Sequence, residues 1–138
     1  MIRQLSIFAE NKRGTMNRIT QVLKDANINM NTLVTNDSAE FGIIRMLVSD
    51  TESAARHLSA AGYLCHCDTV IAAEISDACG SLNTLLSVLN SGCINISYLY
   101  VTYSSLSRQP VAILSTPDSM EVEEFLKGRG YRLLERLD

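Results

Sequence analysis

Two stretches decide the fold: Gly14–Leu33, GTMNRITQVLKDANINMNTL, and Gly80–Leu99, GSLNTLLSVLNSGCINISYL. Laid on one another at an offset of 66, they place Asn17 on Asn83, Val22 on Val88 and Leu23 on Leu89. Ile28 then falls on Ile94, Asn29 on Asn95 and Leu33 on Leu99. Beyond a two-residue insertion near Ser104–Gln109 the offset becomes 68, Asp50 meets Asp118, and Gly62-Tyr63 meets Gly130-Tyr131. A register that survives an insertion and recovers the same terminal Gly-Tyr is a tandem duplication. Its two units span 1–68 and 69–138.

Each unit reads as β-α-β-β-α-β. In the first, Leu5, Ile7 and Ala9 alternate with Gln4, Ser6 and Phe8, the period of a strand. Met16, Ile19, Val22, Leu23 and Ala26 recur at helical spacing and form one apolar stripe. Asn27 stops that helix, and Ile28, Met30, Thr32 and Val34 continue as a strand. Asn36-Asp37-Ser38 supplies a turn, and 41–48 returns as a strongly apolar strand. Asp50 caps a second helix that Gly62 ends, before a last strand over 63–68. The second unit repeats the order. Val70–Ile75 is a strand, and Leu82, Leu85, Leu86 and Leu89 stripe a helix ended by Gly92. Ile94–Val101 and Val111–Ser115 are strands, Asp118 and Glu121 form a capping box, and 131–136 closes the unit. Because each helix has one apolar stripe, both must cover the same sheet face. The fold class is therefore α+β, two ferredoxin-like units with antiparallel sheets.

Composition narrows the function. The 138 residues are 46% apolar and 20% charged, as in a globular protein. Residues 1–68 carry seven basic and seven acidic groups, and 69–138 carry five and eight, so neither half has a basic footprint for nucleic acid. No apolar run approaches the about 20 residues that span a bilayer, and the start, Met1-Ile2-Arg3-Gln4, lacks a leader's apolar stretch. A cytoplasmic location without membrane contact is expected.

Cys65, Cys67, Cys79 and Cys93 are expected to be buried reduced thiols. Cys65-His66-Cys67 has the look of a metal clip, but alternation in a strand sends His66 to the face opposite both thiols, and a zinc site would need two further ligands. His57, beside Arg56, reads as a solvated helix residue. No metal or cofactor is expected. Neither a Ser/His/Asp set, a paired-carboxylate pocket nor a phosphate loop is present, so the chain is not expected to be an enzyme.

The polar, glycine-bearing joint between first strand and first helix is the candidate ligand site: Glu10-Asn11-Lys12-Arg13-Gly14-Thr15 and Ser76-Asp77-Ala78-Cys79-Gly80-Ser81. Glycine there lets backbone approach a small ligand, and the first amides of the helix suit a carboxylate. A tight turn alone would also explain both glycines. Asn29 and Asn95 stand at one position near the start of the second strand, where asparagine is disfavoured.

Asn-x-x-Gly followed by a helix, with Ile28-Asn29-Met30 and Ile94-Asn95-Ile96 opening the next strand, resembles the ACT domain, a small ligand-binding module that regulates amino-acid metabolism. The resemblance covers nearly the whole chain, once per repeat. It implies two ACT units with their sheets side by side and an amino acid at the seam. It also implies that Asn11, Gly14 and Thr15 face Asn95, and that Asp77, Gly80 and Ser81 face Asn29. Arg13 and Cys79 stand where the family usually has proline. Asp77 replaces the loop asparagine and cannot donate when ionised, so the first site is the stronger. Arg13 reads either as a solvated surface arginine or as a partner for an acidic ligand side chain.

The implied function is an amino-acid sensor acting through a partner, a metabolic enzyme or regulator. The alternative is a ligand-free interaction module. On the sheet face opposite the helices the alternation places Leu33, Leu99, Val101, Ile44, Met46 and Val48, apolar enough to predict a homodimer or a partner protein. Tyr98 and Tyr100 are assigned to the helix-covered face, away from any stacking role with RNA.

Overall fold

The computed structural model describes residues 1–35 and 41–138; the expected turn at Asn36-Asp37-Ser38 lies outside them. The chain forms two compact units, Arg3–Asp68 and Thr69–Asp138, the latter including Met1–Ile2. Elements follow in the order β1 (Ile2–Glu10), α1 (Thr15–Asp25), β2 (Met30–Thr35), β3 (Phe41–Val48), α2 (Thr51–Ala60) and β4 (Leu64–Glu74). Then come α3 (Ser81–Ser91), β5 (Tyr98–Tyr103), β6 (Pro110–Ser115) and α4 (Ser119–Gly128). In the first unit the strand order is β2-β3-β1, with both pairings antiparallel, Leu5 opposite Met46 and Ile7 opposite Ile44. In the second it is β5-β6-β4, again antiparallel, with Leu99 opposite Leu114 and Ala73 opposite Ala112. The closing strand expected over 131–136 is reduced to one bridge, Ala73 with Leu133, supported by Leu134 N–H to the Ala72 carbonyl at 2.8 Å.

Each unit has its own core under its two helices. Leu5, Ile7, Ile44 and Met46 pack with Ile19 and Leu23 of α1 and Ala54 and Leu58 of α2. Ile71, Ala73, Ala112 and Leu114 pack with Leu85 and Leu89 of α3 and Val122 and Leu126 of α4. Every one of these side chains is at most 5% exposed, and burial of this depth contributes about 1.5–3 kcal/mol per large apolar side chain.

The face assignment of several strand residues is corrected. Leu33, Ile44, Met46 and Val48 belong to the helix-side core of the first unit, and Leu99 to that of the second. In β2 the cause is a bulge: Met30 lies opposite Val48 but Thr32 opposite Leu47, so Asn31 is an extra residue and the alternation inverts after it. The same inversion follows Ser97, so Ile96 and Leu99 share a face although three positions apart. Tyr98 and Tyr100 thereby leave the helix side; Tyr100 lies opposite Ile113 and is 9% exposed, which keeps it from stacking on a base. Val101 shares the phase of Leu99, opposite Ala112. In β3, apolar residues on both faces left periodicity without a choice, and the register against β1 makes it. The residues of the other face, Gln4, Ser6, Leu47, Val70, Val111 and Ile113, are buried within the single chain. Of the six residues that suggested a second copy, only Val101 is exposed.

All four helices end alike. The residue after the C-cap is left-handed in each: Asn27 (φ 57°), Gly62 (95°), Cys93 (55°) and Gly130 (85°). The amide after it returns to the carbonyl of the third-last residue of the helix, Ile28 to Leu23, Tyr63 to Leu58, Ile94 to Leu89 and Tyr131 to Leu126, at 2.9–3.1 Å. An Ile or Tyr thus folds back onto a core leucine every time. Gly92 ends α3 as expected, as its C-cap at φ −89°, and the left-handed position falls to Cys93. Glycine is needed there because a Cβ would lie 2.7 Å from Phe125 Cζ.

Candidate functional site

Both glycine loops enter their helices in the left-handed conformation, Gly14 at φ 87° and Gly80 at φ 84°. Neither α1 nor α3 receives a side-chain cap, whereas in α2 Asp50 accepts the Ser53 amide at 3.0 Å. A helix start without a capping oxygen leaves amides to a ligand or water. In the first unit the loop borders a cleft of about 370 Å³ whose lining includes Glu10, Asn11, Lys12, Thr15, Met16 and Ile44. Asn11 and Lys12 are exposed, and Thr15 is buried with its hydroxyl accepting from Arg18 at 3.3 Å. Lys12 pairs with Glu10 at 2.6 Å across the same loop. Arg13 is exposed and does not line the cleft.

The second loop is more open. Asp77 and Gly80 are exposed and Ser81 half-buried, and a Cβ on Gly80 would meet nothing within 4 Å. The Gln109 side chain, which the sequence gave no reason to single out, accepts the Asp77 amide at 3.2 Å and ties the loop to the end of β6.

Asn29 and Asn95 are exposed, each just before its strand. Asn29 and Ser49 exchange two hydrogen bonds, 2.9 and 3.0 Å, beyond the far end of β3, while Glu10 lies opposite Phe41 at its near end. The eight residues of β3 hold the two groups roughly 25 Å apart. In the second unit the Asp77 loop sits by Gln109 and Pro110, and Ser97 bonds Ser115 at the other end of β6. Within either unit, then, loop and asparagine are at opposite ends, and the structure brings neither pair together inside one unit.

Asn95 lines a second cleft, about 360 Å³, with Gly92, Cys93, Thr116, Asp118, Glu121 and Phe125 among its walls. Asn29 lines a shallower hollow with Lys24 and Asn27. Asp118 is the N-cap residue of α4 but makes no side-chain capping bond, so the capping box expected from Asp118 and Glu121 does not form.

All four cysteines are free. Cys65 and Cys67 are half-buried against the first core, while Cys79 and Cys93 are exposed, which corrects the expectation of four buried thiols. Burial pushes the Cys65 thiol above its ordinary pKa, with the neighbouring Cys67 adding to the shift and a bond to Ser59 opposing it. His66 is exposed and pairs with Asp68 at 2.8 Å. His57 is exposed, its Nδ1 2.8 Å from the Ser53 carbonyl. Among the described residues no group of three or more His, Cys, Asp or Glu could hold a metal ion, and no helix is long and apolar enough to cross a membrane.

A family profile described as an ACT domain pair matches residues 1–129. Among solved structures, protein BT0572 from Bacteroides thetaiotaomicron superposes with a TM-score of 0.89 at 29% identity, over 96% of this chain and 91% of that one. The ligand-free regulatory subunit of aspartate kinase from Thermus thermophilus shares the fold at TM-score 0.65 and 10% identity, with 91% of each chain covered. The corresponding subunit from Thermus flavus does so at 0.62 and 10%, over 91% of this chain and 90% of that one. No curated protein matches.

Proposed function

The chain belongs to the ACT-domain family as a domain pair, and from that premise we propose that it is a non-enzymatic regulatory protein that binds an amino acid between ACT units and acts through a partner. In this reading two ACT sheets stand side by side, and the loop of one unit meets the strand-start asparagine of its neighbour. Asn11, Gly14 and Thr15 face Asn95, with Arg13 at the rim. Asp77, Gly80 and Ser81 face Asn29.

The observation that carries the reading is the division of parts. Each unit holds an uncapped helix start at one end and an asparagine roughly 20–25 Å away at the other, by the lengths of β6 and β3. Only a second unit can complete either half. The amides after Gly14 would take the α-carboxylate, and the side-chain oxygens of Asn11 and Asn95 the α-ammonium. Asp77 would repel a carboxylate, which leaves the first site the stronger. The aspartate-kinase regulatory subunits share the fold, which supports an enzyme of amino-acid metabolism, or its regulator, as the partner.

The test is a thermal-shift scan against the twenty amino acids at millimolar concentration. A ligand at about 100 times its Kd stabilises by about 2.7 kcal/mol, a rise of several degrees. One or a few amino acids should raise Tm, and Asn11→Ala should abolish the rise. A flat response to all of them refutes the sensor. It would favour the second reading, a ligand-free interaction module, to which the exposed Val101, Tyr103 and Leu106 lend support.

A further inference from the structure

We infer that the cleft of the first unit receives the side chain of the bound amino acid and selects an apolar one, with Gly42 setting its length; this rests on the proposed amino-acid binding and deepens it. Ala9, Gly42, Ile44 and Met16 line the cleft below the loop that carries Asn11. Ala9 and Ile44 belong to the buried core and Met16 packs against it, so the walls carry the hydrophobic core out to the loop. Of the described lining residues only Glu10 and Lys12 are charged, and they pair with each other at 2.6 Å. The hydroxyl of Thr15, also in the lining, already accepts from Arg18 at 3.3 Å. A charged side chain entering here would give up its water for walls with little to return, whereas an alkyl chain gains by burial. The volume, about 370 Å³, falls within the range of small-molecule sites, about 300–1,000 Å³.

The duplication supplies a control. Ala9 lies opposite Gly42 where β1 pairs with β3. At the offsets of 66 and 68 their counterparts are Ile75 and Pro110, joined by the Ile75 amide to the Pro110 carbonyl at 3.0 Å. The registers agree: Ile7 opposite Ile44 in the first unit corresponds to Ala73 opposite Ala112 in the second. Two bulky side chains, one of them only 7% exposed, therefore stand where the first unit has a methyl group and a hydrogen. Glycine weakens a strand and is kept where a ligand or another backbone comes close. Gly42 lies within β3 and lines the cleft, so the room beside it belongs to the first unit and is where a ligand side chain would end.

Calorimetric titration of the full chain with alanine, valine, leucine, methionine, phenylalanine, asparagine, aspartate and lysine tests this. The tightest ligand should be apolar and bind about ten-fold or more above both alanine, which lacks the stem, and asparagine, which has the shape of leucine with polar atoms. Gly42→Ala, which places a methyl group in the lining, should move the optimum to a shorter side chain. Met16→Ala, which removes a wall on the helix, should move it to a longer one. Both are read as ratios of Kd between ligands, which a smaller folded fraction does not change, and Asn11→Ala should weaken all of the ligands together. Asparagine, aspartate or lysine as the tightest ligand, bound in an Asn11-dependent way, overturns this inference and leaves the sensor standing. An optimum that neither Gly42→Ala nor Met16→Ala moves overturns the cleft as the place of the side chain. If no amino acid binds, the sensor reading fails and this inference with it.

Discussion

Cys93→Gly should stabilise the protein. Cys93 occupies the left-handed position after α3 at φ 55°, where its counterparts after α2 and α4 are Gly62 and Gly130. An L-residue with a Cβ pays about 1–2 kcal/mol in that conformation. Glycine removes the penalty but loses about 0.5–1 kcal/mol through its greater freedom in the unfolded chain. The Cys93 side chain is exposed, so no core area is lost. The net is about 0.5–1 kcal/mol of stabilisation, or about 2–3 °C in Tm for a chain of this length. Gly130→Ala is the mirror experiment, in the same unit and so read on the same transition. Its Cβ would meet nothing within 4 Å, so its effect is the backbone penalty less the unfolded-state gain, a net of about 0.5–1 kcal/mol of destabilisation. Urea unfolding followed by circular dichroism reads both. If Gly130→Ala destabilises as expected but Cys93→Gly is neutral or destabilising, the shared left-handed ending of the four helices does not explain their stability. Asn27→Gly should gain less, because asparagine tolerates this region better than cysteine.

Gly92→Ala probes packing instead of backbone. At φ −89° alanine costs no strain, yet its Cβ would come within 2.7 Å of Phe125 Cζ. Overpacking of about 1–3 kcal/mol should outweigh the unfolded-state gain, and Phe125→Leu should recover most of the loss; an additive pair in denaturant titrations would refute the contact. In thiol labelling at pH 8, Cys79 and Cys93 should react first and Cys65 last. Its raised pKa lowers the thiolate fraction and half-burial hinders access; equal rates at all four, followed by mass spectrometry of the labelled peptides, would contradict that order.

The helices were legible because their evidence is local. Apolar residues at helical spacing over 15–25 and 81–91 coincide with α1 and α3, and the leucine stripe alone dictates which side goes inward. The strands were legible as strands but not as faces. Asn31 looks like any strand residue in sequence, and only the shift of register against β3 between Met30 and Thr32 reveals the bulge that inverts Leu33. Gly92 illustrates the same limit. Glycine at a helix end suggests the left-handed position, yet Cys93 takes it, because Phe125, far along the chain, needs the space above Gly92. Asp118 and Glu121 read as a capping box from their spacing, yet Asp118 makes no side-chain capping bond at α4.

The sequence by itself determined the duplication, the α+β class, the order of elements and the two loop–helix joints. These depend on periodicity and on residues with narrow backbone preferences, which act within a few positions. Tertiary structure decided which side of each strand is buried, because that depends on register against a neighbouring strand. It also decided that loop and asparagine lie at opposite ends of a unit, since antiparallel pairing converts strand length directly into separation. And it decided where charge is left over: a carboxylate is spent or spare according to whether an amide comes within hydrogen-bonding reach, and for Asp50 and Asp118, one residue type at one repeated position, the answers differ.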